Sequence, residues 1–540
     1  MRRLWLSLGM VALGAVLMVT AQLAGATPNR KGGIFRVGTT GASVQVDPQL
    51  AYITTAWWLE YATAAKLYNY TPKGALMPEV ASRFAVSNAG RRYTFFIRKG
   101  FRFSDGTAVT ASSFKYAINR VANHDLASPG AAFISDAGGA NIVGAQAVND
   151  GKATDVSGVT VKGNKLIINL TDADGAFLSK LTMPFFQATS TKLPLDREVV
   201  NVSDIRTMPS AGPYAYSRNN VNTLTSLRRN PFWKPGPGKR GSRNLTGLDL
   251  QWNLNEQTAF NQVKTGELDE GPLPAAEVQG IANQYGVNKT RFWAKPINCL
   301  GSVLFNNRGT LLRGNSAMRK ALNWALDRRA YADQAGPYAG DPWTHILPPG
   351  FPGSVSTKTR QPYSARPNYA KARRLAAGHF RNGRITVYYR SSGTVNPAQA
   401  EIVRGSLIQL GFDPGNITMK GFTGGNIYDA FYRADSDADI GVSMSWCADE
   451  ADPYTFFVSL LPFLGGTKYE AKIAAAAKLS GPARLRAFGK LDLELTRNFA
   501  PLAVMRTYNN RYFFSSRVNP RSLKYHGTYQ DWSIPALALK

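Results

Sequence analysis

The chain has 540 residues, more than one hydrophobic core usually serves, so the length predicts two or three domains. Apolar residues make up 44% and aromatic residues 11% of the sequence, which excludes a disordered chain. The net charge of +29 is typical of proteins that meet nucleic acid or an anionic surface, but the basic residues are dispersed and no nucleic-acid motif accompanies them. We therefore expect a basic surface facing an anionic envelope, and no nucleic-acid partner.

The N-terminus has the pattern of an export signal. Arg2 and Arg3 precede an apolar run at 4–20, and Ala24-Gly25-Ala26 has the small-x-small form of a cleavage site. This predicts a signal peptide over residues 1–26 and an extracytoplasmic protein, in the periplasm or on the outer face of the cytoplasmic membrane. An uncleaved membrane anchor is the alternative. No other stretch approaches ~18 continuous apolar residues, so no second membrane span is predicted.

Strands and helices are predicted in mixed order through the first half of the chain. The predicted elements are strands at 32–38, 92–98, 223–228 and 248–254, a hairpin at 158–170, and helices at 55–67, from Thr110 through Val121, and at 256–264. From Cys299 onward the pattern suggests a separate unit. It holds strands at 299–305 and 384–389 and helices near 317–330, 370–377 and 398–410. This strand–helix alternation predicts an α/β protein.

The stretch at 440–461 carries the candidate site. A strand-like run, 440–442, leads to Trp446 and Asp449, and Asp452-Pro453 has the form of a helix start before a long apolar segment. In α/β domains ligands bind beside loops at the carboxyl ends of strands. Asp449 could receive a ligand's ammonium group in a closed cleft, where a charge-assisted hydrogen bond contributes about 1.5–3 kcal/mol. The alternative is a loop aspartate bonded to its own backbone.

Two cysteines, Cys299 and Cys447, occur in the whole chain. In an exported protein two cysteines suggest one disulfide, which would tie the candidate loop to the strand at 299–305. The alternative is a pair of buried free thiols.

One enzymatic pattern is present. Ser112-x-x-Lys115, Ser217-x-Asn219 and Lys264-Thr265-Gly266 follow the order of penicillin-recognising serine enzymes. That chemistry needs the third motif on a strand, whereas Lys264 ends a helical pattern with Gly266 as its stop. The four histidines are scattered without metal-ligand spacing, and no nucleotide fingerprint occurs. We expect no catalytic residues, no metal site and no cofactor.

Several blocks together resemble one family, the extracytoplasmic solute-binding proteins of peptide-type ABC importers (family 5). The matching blocks are 33–38, Asp47-Pro48, 93–100, 103–107, Gly212-Pro213-Tyr214, 229–233, 266–269, 318–328 and 446–449. Within the family, the run at 446–449 is most similar to that of the periplasmic oligopeptide-binding proteins.

The resemblance implies a periplasmic binding protein-like α/β fold of class II, cluster C type, with two hinged lobes and an inserted subdomain. Lobe I would comprise 33–68, 195–298 and 505–540, the insert 69–194, and lobe II 299–504. It implies that Asp449 accepts the peptide's ammonium group and that Cys299 and Cys447 are bridged. Backbone groups of Ser445, Trp446, Cys447 and Ala448 would pair with the ligand, with Ile53 and Thr54 across the cleft.

The resemblance also departs at two places: the oligopeptide binders carry an arginine where this chain has Ser443, and their aromatic residue that covers a ligand side chain has no clear counterpart, since Ile427 or Tyr428 falls there. The resemblance as a whole leads us to expect a monomeric protein, not an enzyme, that captures di- or oligopeptides and passes them to a membrane permease. The alternative is the same fold with a sugar, a metal chelate or another small solute. A serine enzyme using Ser112 and Lys115 is the remote alternative.

Overall fold

The computed structural model describes residues 32–135, 141–238, 243–355 and 361–540. The predicted signal peptide at 1–26 lies outside these residues. None of the helices in the described ranges combines the length and the apolar character that a membrane crossing requires.

Strands and helices are interspersed along the described chain. The strands are β1 Ile34–Gly38, β2 Tyr68–Tyr70, β3 Leu76–Pro78, β4 Ala81–Ser87, β5 Arg92–Ile97, β6 Val159–Lys162, β7 Lys165–Asn169, β8 Tyr214–Asn220, β9 Leu224–Arg229, β10 Gly247–Gln251, β11 Glu270–Gly271, β12 Phe292–Phe305, β13 Ile385–Arg390, β14 Ile417–Phe422, β15 Ile440–Cys447, β16 Leu502–Phe514, β17 Tyr525–His526 and β18 Asp531–Trp532. The α-helices are α1 Thr54–Thr63, α2 Ala111–Ala122, α3 Ala145–Asn149, α4 Phe177–Lys180, α5 Glu256–Thr265, α6 Val278–Tyr285, α7 Ser316–Ala325, α8 Arg328–Asp333, α9 Tyr369–Ala376, α10 Val395–Leu410, α11 Asn426–Tyr432, α12 Tyr454–Val458, α13 Lys468–Ala477 and α14 Gly481–Glu494.

A ten-stranded mixed sheet runs through the molecule in the order β14-β13-β15-β12-β16-β11-β1-β10-β9-β8. Its outer parts contain parallel pairs, β13 with β14 and β15 at one end and β1 with β10 and β11 at the other. Its centre is antiparallel, because β12 pairs with both β15 and β16. The two long strands β12 and β16 connect the two ends of the sheet.

The register between β12 and β16 shifts between Ile297 and Leu300, near the middle of β12. Ile297 pairs with Tyr508, whereas Leu300 pairs with Thr507, so two residues of β12 fall into the irregularity. Such a bulge interrupts the ladder and bends the strand locally. Cys299 lies within this irregular segment.

A second, four-stranded antiparallel sheet, β4-β5-β7-β6, lies within the segment 69–194. As the alternation predicts, Tyr93, Phe95 and Ile97 of β5 are buried on one face. The apolar face of α2, with Phe114, Ile118 and Val121, belongs to the same core, which also takes in Trp57 of α1. This packing attaches the small sheet to the start of the chain.

Three predicted helices differ from the structure. The helix predicted at 55–67 ends at Thr63, because the carbonyls of Ala65, Lys66 and Leu67 accept hydrogen bonds from other loops instead. The helix near 317–330 is two helices, since Leu326 is extended and Asp327 caps α8. The long apolar helix after Asp452 is only Tyr454–Val458. Pro462 is four residues beyond Val458, where its ring would clash with the carbonyl of that residue in a continuing helix.

Candidate functional site

The candidate loop follows the carboxyl end of β15. β13 pairs with β15 only as far as Val442, so the edge of β15 beyond that residue is not covered by a strand. On the other side, β12 remains paired with β15 up to Cys447. A strand edge therefore opens where the loop with Asp449 begins.

A cavity of about 220 Å³ adjoins this loop. Three separate segments form it, and its lining residues are Tyr52, Ile53, Thr54, Trp57, Tyr61, Trp446, Cys447, Ala448, Asp449, Thr528, Tyr529 and Gln530. Aromatic rings dominate the walls. Its volume lies below the range of about 300–1,000 Å³ of drug-sized ligand pockets, so it would enclose a small solute or one end of a longer one.

The carboxylate of Asp449 turns into this cavity and bonds to two hydroxyl groups. The Tyr52 hydroxyl donates to Oδ1 at 2.7 Å, and the Thr455 hydroxyl donates to Oδ2 at 3.3 Å. Tyr52 is 397 positions away in sequence, so the first bond joins opposite sides of the cavity. The alternative of a loop aspartate bonded to its own backbone does not match these contacts.

Burial raises the pKa of Asp449 to about 6, and the hydrogen bonds from Tyr52 and Thr455 oppose that rise. The neighbouring Glu450 is also buried, and burial followed by the charges of Asp449 and Asp452 raises its pKa well above the ordinary value. The site is therefore an acidic point in a strongly basic protein. A cation entering the cavity would relieve the repulsion between these carboxylates.

Neighbouring contacts hold the loop and its partner in place. Asp452 forms two hydrogen bonds of 2.7 Å with the buried guanidinium of Arg484. Tyr52 packs against Trp57 and Phe185, with ring centroids 5.8 and 5.5 Å away. Asp449 and its hydroxyl donor are thus preorganised from both sides.

Cys299 and Cys447 form a disulfide, as the resemblance implied, and the alternative of two free thiols is wrong. The two residues are opposite one another in the β12–β15 ladder. The bridge fixes the end of β15 to the irregular segment of β12, two residues before Asp449.

The backbone groups expected to meet a ligand are not equivalent. The Ala448 N–H donates to the Asn298 carbonyl at 2.9 Å. The Ser445 N–H donates to the Tyr428 hydroxyl, which in turn donates to the Ser445 carbonyl. Because antiparallel pairing alternates, the N–H and C=O groups of Cys447 point, like those of Ser445, away from β12 and toward the uncovered edge.

The two sides of the cleft touch at several further points. Lys478 pairs with Asp172 at 2.9 Å, and the Gly175 N–H donates to the Ala477 carbonyl at 3.4 Å. A Cβ atom at Gly175 would lie 1.8 Å from the Leu479 carbonyl oxygen, so this approach requires glycine. These contacts describe a cleft that is closed.

Six of the seven candidate residues line the cavity: Ile53, Thr54, Trp446, Cys447, Ala448 and Asp449. Ser445 borders a separate, apolar cavity of about 30 Å³, which shares Trp446 with the first. The buried indole N–H of Trp446 has no acceptor among the described residues. Sequence reasoning missed Tyr52, one position before the predicted pair, as well as Thr455, and it named Tyr428 only as one of two residues at the place of the family's ligand-covering aromatic.

The first and third motifs of the enzymatic pattern lie on helices, whereas Ser217 and Asn219 of the second lie on β8. Ser112 and Lys115 belong to α2, where Ser112 is exposed and Lys115 pairs with Asp155 at 2.9 Å. Lys264 lies in the last turn of α5, which ends at Gly266 in the left-handed conformation, not on a strand. Among the residues with described positions, no group of three His, Cys, Asp or Glu side chains could hold a metal ion.

Comparison with known proteins finds one family model, described as "Bacterial extracellular solute-binding proteins, family 5 Middle", over residues 75–466. A probable deoxycholate-binding periplasmic protein, YgiS of Escherichia coli, is 26% identical over 381 residues, covering 68% of this chain and 67% of that protein. The periplasmic murein peptide-binding protein MppA of Escherichia coli is 43% identical over 95 residues, 17% of each chain. The solved structure of clavulanic acid biosynthesis oligopeptide binding protein 2 aligns with a TM-score of 0.79 and 20% identity over 94% of this chain and 96% of that one.

Proposed function

Because the chain belongs to the bacterial extracellular solute-binding proteins of family 5, we propose that it captures a short peptide outside the cytoplasm for an ABC importer. The observation that carries this proposal is the Asp449 carboxylate, which lines the cavity and accepts a hydrogen bond from Tyr52 of another lining segment. In this role Asp449 accepts the ammonium group of the peptide.

The chemistry of the cavity suits a peptide's amino end. An ammonium group brings three donors and one positive charge, whereas the cavity offers a carboxylate with a second acid, Glu450, behind it. The aromatic walls would cover the first side chain of the ligand. The outward N–H and C=O of Cys447 would pair with the ligand's main chain as an added strand does.

The division into lobes follows the same proposal. Lobe I would comprise 33–68, 195–298 and 505–540, with 69–194 packed on it, and lobe II 299–504. The boundary at 298–299 falls in the irregular segment of β12, where a strand bends more easily than in a regular ladder. Closing over a ligand would bring Tyr52 to Asp449 and select the conformer that the permease recognises.

The remaining expectations belong to this proposal. The signal at 1–26 would direct export and be cleaved, and the protein would act as a monomer beside its permease. Sedimentation of the mature chain tests the monomeric state, and N-terminal sequencing of protein secreted by the native host tests the cleavage.

A second candidate is the same clamp with a non-peptide solute. The observation that favours it is the Tyr52 hydroxyl, which already occupies one oxygen of Asp449 and leaves an aromatic cavity suited to a rigid ring. The relative YgiS is named a probable deoxycholate-binding protein, so one relative of this chain carries the name of a non-peptide solute. Mass spectrometry of the solute that co-purifies from the native host separates the two candidates.

Calorimetry tests the role of Asp449 directly. We expect the wild-type protein to bind a component of a di- and tripeptide pool, and Asp449→Ala to bind it about 10- to 100-fold more weakly. Asp435→Ala is the matched control, since Asp435 is an exposed acid paired with Arg433. Unchanged affinity in Asp449→Ala would refute the assigned role. Covalent labelling of Ser112 by a penicillin would instead establish the serine enzyme.

A further inference from the structure

Arg506 of β16 is a buried arginine whose donors are mostly unused. Its residue is 4% exposed, and the Nε and Nη1 groups have no acceptor among the described residues. Its Nη2 group donates to the Ala339 carbonyl at 3.4 Å, and the guanidinium also interacts with the Tyr508 hydroxyl. A guanidinium has five N–H donors and carries a positive charge, so this side chain is a buried charge without a counter-ion among the described residues.

The groups that face Arg506 are neutral or positive. The Tyr508 ring lies 4.1 Å from its guanidinium carbon. Burial raises the pKa of Tyr508, so its hydroxyl stays protonated and can donate. Arg511, five positions along the same strand, donates to the carbonyls of Ala335 and Pro337. No carboxylate in the described part of the chain lies within ion-pair distance of either arginine.

A second arginine with an unused donor lies nearby. Arg390, the last residue of β13, has a buried Nε without an acceptor in the described ranges, and its Nη2 donates to the Tyr428 hydroxyl at 3.2 Å. That hydroxyl is the one that holds the backbone of Ser445 on the uncovered edge of β15. Both Tyr428 and Arg390 act electrostatically on Tyr508, which places the two arginines around one group.

We propose that Arg506, supported by Arg390 and the hydroxyl of Tyr508, binds a carboxylate of the ligand, at the end opposite Asp449. This inference rests on the proposed function and adds the second end of the ligand to it. Two unpaired N–H groups in a planar fork match the two oxygens of a carboxylate. A buried positive charge that lacks a counter-ion in the chain is stabilised when an anion enters with the ligand.

The sheet fixes how far apart the two ends are. Gly301 pairs with both Ser445 and Arg506, so these three residues form one row across β15, β12 and β16. The row spans about 10 Å. Asp449 lies in the loop after β15, four residues beyond Ser445, and so is at most about 13 Å from it along the chain. The two backbone positions are therefore at most about 16 Å apart. After allowance for the reach of both side chains, an extended peptide of about two to four residues bridges that gap.

Peptides that differ only at their carboxyl end test the proposal by calorimetry. The probes are tri-alanine, tri-alanine amide and Ala-Ala-Glu amide, measured on the wild type, Arg506→Met and Arg329→Met. Arg329 is an exposed arginine of α8 paired with Asp333 and serves as the control. We expect tri-alanine amide to bind the wild type and Arg329→Met about 10- to 100-fold more weakly than tri-alanine does. Arg506→Met should bind the two peptides with equal affinity. Recovery of affinity with Ala-Ala-Glu amide would assign the site to a side-chain carboxylate instead of a main-chain one.

A thermal-unfolding series keeps the inference separable from the peptide function. Acetate should raise the Tm of the wild type more than acetamide does, and this difference should vanish in Arg506→Met. Equal binding of the free acid and the amide to the wild type would overturn the carboxylate site while leaving the peptide function intact. Absence of peptide binding together with an Arg506-dependent acetate effect would overturn the peptide function and retain the anion site. Absence of both peptide binding and the Arg506-dependent acetate effect would overturn the peptide function and the anion site together.

Discussion

Arg120 of α2 and Arg506 of β16 are both buried, but their surroundings differ. Arg120 is 0% exposed, and its guanidinium makes five hydrogen bonds: two to Asp47, one to Gln49 and two to the carbonyls of Pro194 and Arg197. Arg506 makes one long hydrogen bond to the Ala339 carbonyl, interacts with the neutral Tyr508 hydroxyl, and forms no ion pair with an acid within the described residues. Five bonds match the five donors of a guanidinium, so Arg120 is complete inside the fold.

The contrast distinguishes an arginine that stabilises the fold, Arg120, from one that we propose binds a ligand, Arg506. The first binds its counter-ion, Asp47, within the chain. The second lies on β16, in the same row across the sheet as Ser445 of β15, and the partner it lacks would come with the solute. Loss of the first should therefore change stability, whereas loss of the second should change affinity.

The largest expected effect is on stability, from Arg120→Met. The substitution leaves the buried Asp47 carboxylate without its counter-ion, so the free energy of unfolding should fall by about 3–5 kcal/mol. Urea denaturation measures the change, with Arg329→Met as the exposed control. A loss below about 1 kcal/mol would contradict a structural role for Arg120.

Removing the disulfide should have the next largest effect. The double substitution Cys299→Ser and Cys447→Ser opens a loop of 148 positions and should lower the free energy of unfolding by about 2–4 kcal/mol. It should also weaken peptide binding, because the bridge is two residues from Asp449. The affinity ratio between free acid and amide should stay unchanged, since it depends on Arg506. A change in that ratio would show that the two ends are coupled.

The pH dependence should differ between the two ends. Burial raises the pKa of Asp449 to about 6, above its ordinary value, so the ligand-free closed form takes up a proton as the pH falls through this range. Closure without ligand is then favoured below about pH 6, whereas the carboxylate that binds ammonium is lost there. Affinity for a free-amine peptide should be constant near pH 7 and fall toward about tenfold per pH unit below 6. Asp449→Asn should abolish this dependence, and its persistence in the variant would point to Glu450.

The smallest expected effect is on the ligand-free stability of Arg506→Met. Exchanging a buried charge without a counter-ion for an apolar side chain should change the free energy of unfolding by less than about 1 kcal/mol, or increase it. Urea denaturation in an anion-free buffer measures this. A loss of about 3–5 kcal/mol would make Arg506 a structural arginine like Arg120 and remove the contrast between them.

Much of the fold could be predicted from local patterns. The alternation at 92–97 and the apolar stripe of α2 give the correct elements because each buries one face of a regular strand or helix. The residues after Thr63 could not be assigned in this way, since their carbonyls are bonded to distant loops. The division into lobes stays a prediction.

The candidate site was only half accessible to sequence reasoning. Asp449 and Cys447 belong to one short run that matches a family motif, so they could be named in advance. Tyr52 and Arg506 become neighbours of the cleft only through the sheet order and the packing of α1. The one available signal for Arg506 in the sequence was a charged residue at the end of the apolar run 502–505. That its Nε and Nη1 groups have no acceptor among the described residues is visible only in the structure.

The most direct test of the account compares the tightest-binding peptide of the di- and tripeptide pool with its N-acetylated form, which keeps every heavy atom of the peptide, adds an acetyl group and loses the ammonium charge. Calorimetry of the wild type should give about 10- to 100-fold weaker binding of the acetylated peptide, and Asp449→Asn should bind both forms with similar, weak affinity. Equal binding of the two forms by the wild-type protein would contradict the claim that Asp449 receives the ligand's amino end.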